Sequence, residues 1–384
     1  MRRILLAALA LVFAGVVAAQ DVKIGVVGPF SGTAADYGKQ MEAGMKAWLR
    51  LNGDSIAGHK VQILARDTGG PNPDVAKRLA QELVTRDKVD FLAGFGFTPE
   101  ALAAAPIATE AKVPMIVMNA AGSVVTTRSP YIARFSMTLQ QVSAPMATWA
   151  AKNGIKKVYT LVSDFAPGID SETAFKNTFT AAGGTIVDSV RVPLKNPDFA
   201  PFVQRIKDAK PEAVFMFVVA GEQSIAFMKA FEERGLAKEG IKLIATGDLT
   251  DDDVLQSMGD SVAGVITSHH YSAAHDSPEN KAFVAAFKEV GSGLARPNFM
   301  GVGGYDGMAA IAEVVKKVGV PVDGDKAMEV LKHMKLASPR GPIAIDPATR
   351  DIVQTVYIRR VQKVGAEYYN IEFDKFTDVK DPGK

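Results

Sequence analysis

The sequence predicts an α/β protein built from two doubly wound parallel-sheet lobes. Three observations carry this. Apolar, β-branched runs such as Val22–Val27 (VKIGVV) have the composition of strands buried on both faces. A helical pattern follows each run at short distance, as in a parallel sheet covered by helices. The alternation also runs through twice, which is too long for one sheet and argues for two similar lobes.

In order, Val22–Val27 is broken by Gly28-Pro29-Phe30-Ser31-Gly32, and a helix with Met41, Met45, Trp48 and Leu49 on one face follows. Strand Val61–Ala65 and helix Pro73–Arg86 come next. Strand Asp90–Ala93, helix Pro99–Ala111, strand Met115–Met118 and strand Ile132–Phe135 close the first round. Helix Thr138–Lys152 opens the second. It continues with strand Lys157–Val162, helix Ser171–Ala182, strand Thr185–Val190, helix Phe199–Ala209 and strand Ala213–Val218. Helix Glu222–Arg234 and strands Ile241–Ala245 and Ala263–Ser268 complete it. Helical segments are expected at Pro278–Glu289, Phe299–Lys317 and Asp325–Met334. The tail, with Gly341–Ile345, Gln354–Arg360 and Tyr368–Phe373, reads as short antiparallel strands. No low-complexity linker interrupts the chain, so the lobes are expected to be joined by short ordered crossings.

Residues 90–123 organise the chain. Gly94 and Gly96 bring the backbone close ahead of a helix, and Thr98-Pro99-Glu100 reads as a hydroxyl N-cap, a proline at the first position and an acid in the first turn. Asn119-Ala120-Ala121-Gly122-Ser123 makes a second small-residue turn one unit later. Both turns are expected at the carboxyl ends of adjacent strands, where open α/β sheets bind ligands. Free N–H groups at such helix starts suit a carboxylate.

Residues 1–19 (MRRILLAALALVFAGVVAA) carry two arginines, an apolar run and a small-x-small site at Val17-Ala18-Ala19. They read as a secretory signal cut after Ala19, and the lack of cysteine after the site argues against a lipid anchor. The expected product is periplasmic. Losing Arg2 and Arg3 brings the formal charge of +2 to about zero, which gives no reason to expect nucleic acid. The chain has no cysteine, so thiolate metal sites, thiol nucleophiles and disulfides are excluded. A core must hold it, and 47% hydrophobic residues can supply one.

Catalytic and cofactor motifs fare poorly. Gly94-x-Gly96 lacks the third glycine of a dinucleotide loop, and no phosphate-cradling GxxxxGK[ST] occurs. His269, His270 and His275 could hold a metal only if convergent, and a solvated loop is the plainer reading. Asp251–Asp253 lack calcium-loop spacing and read as stabilising a helix start. Asp248 differs, because it follows a strand at the ligand-binding edge. No G-x-S-x-G elbow or triad stands out, and nothing selects a glycosidase carboxylate pair. No enzyme, cofactor or metal is expected. Phe95, Phe97, Met118, Phe165, Phe299 and Met300 are core-type residues whose place at strand ends tilts some towards a pocket.

Taken together, the chain resembles the Leu/Ile/Val-binding family of periplasmic solute-binding proteins, receptors of ABC importers. The resemblance rests on KIGVVGPFSGTAADYGKQMEAGMKAW (23–48), VQILARDTGGPNPDVAKRLAQELV (61–84) and the 90–123 stretch. SDFAPG (163–168), PEAVFMFVVAGEQS (211–224), LIATGDL (243–249) and FMGVGGYDGMAAIAEVV (299–315) extend it over the mature chain. It implies a type I fold with a three-crossing hinge. Lobe one would hold residues 20–138 and 270–340, and lobe two residues 139–269 and 341–384. It also implies a small-molecule ligand, an inner-membrane ABC permease as partner and a monomer.

By the same resemblance, the family's carboxylate-binding serine falls at Thr98, next to Phe97, where a cysteine is lost. The next turn's carbonyl and hydroxyl fall at Asn119 and Ala121, with Ser123 as the replacement hydroxyl. The covering aromatic falls at Phe165, the amine-pairing acid at Asp248, and an aromatic is missing at Ala220. Tyr305, in the last matching stretch, completes the candidate set. The expected ligand is a branched-chain or other hydrophobic amino acid. Its rival is an aromatic carboxylate, benzoate- or phenylpropenoate-like, because the amine end is altered and phenylalanines are many. A ligand-sensing receptor domain is the alternative of a different class.

Overall fold

The computed structural model describes residues 20–384; the expected secretory signal lies outside them. The first lobe begins with β1 (Val22–Gly28), α1 (Ala35–Asn52), β2 (Ser55–Ile56), β3 (His59–Asp67) and α2 (Pro73–Glu82). It continues with β4 (Phe91–Gly94), α3 (Thr98–Ala111), β5 (Met115–Val117) and β6 (Ile132–Arg134). The sheet order is β2-β3-β1-β4-β5-β6, with β1 paired in parallel to both β3 and β4. That central place explains the VKIGVV run. Val22, Ile24 and Val26 are fully buried, each such side chain contributing about 1.5–3 kcal/mol.

The second round gives α4 (Leu139–Lys152), β7 (Lys157–Ser163), α5 (Ala166–Ala181), β8 (Thr185–Val192) and α6 (Ala200–Ala209). It goes on through β9 (Ala213–Phe217), α7 (Glu222–Glu233), β10 (Lys242–Thr246) and β11 (Ile266–His269). The chain then returns to the first lobe as α8 (Pro278–Val290), α9 (Phe299–Val318) and α10 (Gly324–Lys332). Here α9 packs on α1 and α10 on β6. It goes back through β12 (Lys335–Leu336) and β13 (Ile343–Ile345) to β14 (Ile352–Val364) and β15 (Glu367–Val379). The second sheet runs β12-β13-β14-β11-β10-β9-β7-β8, with β15 on β14.

Two buried ion pairs lie at the first and third of these passages. Arg134 Nε pairs with Asp351 Oδ1 at 2.7 Å. Arg340 pairs with Asp306 at 2.7 Å and donates to the carbonyls of Phe135 and Ser136. Each guanidinium thus ties segments far apart in sequence, and both arginines are essentially inaccessible.

Three expectations are corrected. The tail strands are long rather than short: β14 and β15 are 13 residues each and form one antiparallel hairpin, whose polar outer half hid its length. His269 and His270 are not in a solvated loop. They are fully buried at the end of β11, with ring centroids 4.5 Å apart and Phe299 against them. Asp251 and Asp252 are buried in contacts with the first lobe instead of capping a helix, because Asn298 and Arg296 offer donors there.

Candidate ligand-binding cleft

The site is built at the turn between β4 and α3. Gly94 takes φ +94°, and a side chain there would meet the Val27 carbonyl at 2.6 Å. The helix cap falls one residue earlier than expected. Phe97 is the N-cap, and its N–H is accepted by the Glu100 carboxylate at 3.1 Å. Thr98 opens the helix and is not its cap. Its Oγ1 accepts the N–H of Gly122 at 3.0 Å, which leaves its hydroxyl hydrogen free to donate elsewhere. Asn119 Nδ2 donates to the Gly96 carbonyl at 2.7 Å. These two bonds lock the two small-residue turns side by side.

Between the lobes lies a small cavity. From the first lobe come Tyr37, Gly96, Phe97, Thr98, Asn119 and Ala121; Met137 and Leu139 come from the crossing. Phe165, Pro167, Phe217, Val219 and Asp248 come from the second lobe. Its volume is about 30 Å³, room for one or two waters. Two aromatic pairs form its walls. Tyr37 stacks on Phe97 with centroids 5.1 Å apart, and Phe165 on Phe217 at 6.0 Å. Tyr37 Oη also donates to the Ala220 carbonyl at 3.3 Å, bridging the lobes.

The ends differ electrically. Thr98, at the positive start of α3, favours an anion. Asp248 is the one carboxylate lining the cavity among the described residues. Its Oδ2 accepts from Thr246 Oγ1 at 2.8 Å, and the His269 Nε2 lies 3.8 Å away. Burial holds His269 down at about 4, against the pull of Asp248, so the imidazole is neutral at pH 7. Burial, and then the Asp248 charge, pushes the Tyr37 phenol well above its ordinary value, so it stays a neutral donor. The arrangement can hold a flat apolar body with an anion at one end and a donor at the other.

Of the sequence candidates, Thr98, Phe97, Asn119, Ala121, Phe165 and Asp248 meet around this cavity. Ser123 does not line it: its N–H crosses to the Asp170 carboxylate of α5 at 2.9 Å. Ala220 lies in the outer groove of the cleft with Leu194 and Gln223. Tyr305 packs on Phe283 at 4.9 Å, between α9 and α8. Sequence reading missed Tyr37, Phe217, Met137, Leu139 and Val219. The position of Tyr37 just past the Gly-Pro turn of β1, and of Phe217 at the end of β9, was the available signal.

Comparison with known proteins places this geometry in context. A family model described as periplasmic binding protein matches residues 21–366. A Leu/Ile/Val-binding protein homolog 6 from Brucella melitensis is 44% identical, over 100% of this chain and 99% of its own. A solute-binding protein of an ABC transporter from Rhodopseudomonas palustris BisB5, solved with 3,4-dihydroxybenzoic acid, is 57% identical. The match has TM-score 0.91 and covers 94% of this chain and 99% of that one. Another from R. palustris, solved with 4-hydroxybenzoate, is 45% identical with TM-score 0.92 and the same coverage. These complexes overturn the expectation of a hydrophobic amino acid as ligand. Both relatives hold ring acids that carry no amino group.

Proposed function

This chain belongs to the Leu/Ile/Val-binding family of periplasmic solute-binding proteins, the receptors of ABC importers, and from that premise we propose that it captures an aromatic carboxylate of the hydroxybenzoate class. One observation carries the reading: two stacked aromatic pairs, one from each lobe, face a single space with Thr98 at one end and Asp248 at the other. The carboxylate sits at Thr98 and the start of α3. The ring slides between Phe97 and Phe165, and a ring hydroxyl donates to Asp248. The partner is an inner-membrane permease, and the protein delivers its ligand unchanged. The 57% and 45% identical relatives support the ligand class by their own complexes. The cavity is too small for a ring as it stands, so the lobes must part for entry and settle around the ligand. The chain reaches the periplasm by the signal at residues 1–19, cut after Ala19.

A thermal-shift and calorimetric screen tests this with 4-hydroxybenzoate, 3,4-dihydroxybenzoate, benzoate and leucine. A ligand at about 100 times its Kd adds about 2.7 kcal/mol of stability. The hydroxylated benzoates should stabilise most and leucine not at all. Stabilisation by none of the three aromatic acids overturns the proposal.

A further inference from the structure

One turn along α1 from Tyr37, a second set of polar contacts joins the lobes. The turn after β10 presents Asp251, Asp252 and Asp253. Facing them from the first lobe are Gln40 of α1 and Arg296 and Asn298 ahead of α9. Asn298 Nδ2 donates to Asp251 Oδ2 and to Asp253 Oδ2, each at 3.0 Å. Gln40 Nε2 donates to Asp253 Oδ1 at 2.8 Å, while its Oε1 accepts the Asn298 N–H at 3.1 Å. Arg296 Nε is taken by Asp252 at 2.9 Å. Asp251 and Asp253 therefore meet on an amide rather than on a cation. Gln40 and Asn298 are fully buried, and Asp251 nearly so.

The charges around the pair do not neutralise it. Asp252 lies on the same turn and Asp36 faces it from α1. Arg296 approaches from the segment before α9 and Arg359 from β14, while β15 offers neutral Asn370 near Asp252. Besides the shared Asn298 amide, the Gln40 amide on Asp253 and the Asp253 N–H on Asp251 Oδ1, at 3.0 Å, are neutral donors too, and like charges so placed in a buried interface oppose ionisation of both carboxylates. Burial pushes Asp253 up to about 7, and burial with the Asp253 charge pushes Asp251 well above its usual range.

We propose that this cluster is a proton-requiring clasp between the lobes. Closure traps one proton on the Asp251–Asp253 pair, and separation returns both carboxylates to water and releases it. The clasp rests on the reading that the cleft closes on a ligand, not on which acid that ligand is. The sign follows from linkage: the closed form binds the proton more tightly, so ligand binding takes up a proton. Affinity then falls as pH rises above the ordinary carboxylate range, by at most about tenfold per pH unit.

Calorimetry with 4-hydroxybenzoate near pH 6, in two buffers of different ionisation enthalpy, reads the uptake directly. Roughly one proton per ligand is expected in the wild type, and close to none in Asp251→Asn/Asp253→Asn, whose amides mimic the protonated acids. The single variants serve if the double variant does not fold. Uptake of the same size in the variants overturns the clasp and points to Glu100 or another group. If neither 4-hydroxybenzoate nor 3,4-dihydroxybenzoate gives heat, the ligand reading has failed, and scattering from ligand-free protein decides the clasp alone. Compaction from about pH 8 to about pH 5 in the wild type only supports it. A radius of gyration that does not change overturns it.

Discussion

The hydroxyl oxygen of Thr98 accepts the backbone N–H of Gly122 at 3.0 Å, although Thr98 opens α3 and Gly122 lies in the turn after β5. A side chain at Gly122 would meet Thr98 Cγ2 at 2.8 Å, so the second turn is glycine where it presses on the first. With one lone pair engaged, the Thr98 hydroxyl still has its hydrogen to donate, and the residue lines the cavity. One residue thus braces the site and, in the proposed complex, supplies its anion end.

Thr98→Ala removes both roles. Ligand binding should weaken by roughly 1.5–3 kcal/mol, the worth of a hydrogen bond to a charged group. Thr98→Ser keeps the hydroxyl and should lose far less. Calorimetry with 4-hydroxybenzoate checks this, and equal affinity for all three proteins would place the carboxylate elsewhere.

Asp248→Asn probes the other end. If a ring hydroxyl donates to Asp248, the variant should lose about 1.5–3 kcal/mol on 4-hydroxybenzoate, because a charged acceptor becomes a neutral one. Benzoate has no hydroxyl to offer and should bind the variant at least as well as the wild type. An equal loss on both acids would show that Asp248 acts only through the fold.

Glu100 is buried behind the anion site, and burial pushes its carboxyl up to about 7. The native state holds its proton more tightly than the unfolded chain does. The Glu100 contribution is therefore full below the ordinary glutamate range and lost as pH rises towards about 7, with a slope of at most about 1.4 kcal/mol per unit. Glu100→Gln should flatten that part of the pH dependence in urea unfolding while keeping an acceptor for the Phe97 N–H. An unchanged slope would mean that Glu100 is ionised throughout.

The Arg340–Asp306 pair should be a heavy structural dependency of the crossings. Arg340→Met leaves Asp306 buried without its cation and should cost about 3–5 kcal/mol in equilibrium unfolding. Adding Asp306→Leu should restore part of that loss. A near-neutral single variant would contradict the burial of this pair.

Much of the architecture was legible because it is written in periodicity. Among the buried parallel strands, β9 is apolar throughout and β1 is so except for Lys23, and Thr98 stands at a marked strand–helix junction. The rings were harder. Tyr37 and Phe217 look like any core aromatic until the lobes are laid face to face, since no local pattern says that one wall of a cavity lies across a cleft. Ser123 was chosen for its hydroxyl, yet the structure uses its N–H, on Asp170. Asp251–Asp253 read as acids at a helix start because sequence does not show the Asn298 and Gln40 donors that meet them across the lobes. Tyr305 was drawn in by its matching stretch, but α9 turns it towards Phe283.

Because Thr98 and Asp248 stand in different lobes, the proposed recognition works as a conjunction. A molecule with only a carboxylate, or only a phenolic hydroxyl, engages one half of the protein and gives the other half no reason to come to it. A solute long enough to touch both ends would add contacts to both lobes at once and so favour the closed outline. A permease that reads that outline is informed of the cargo without ever touching it.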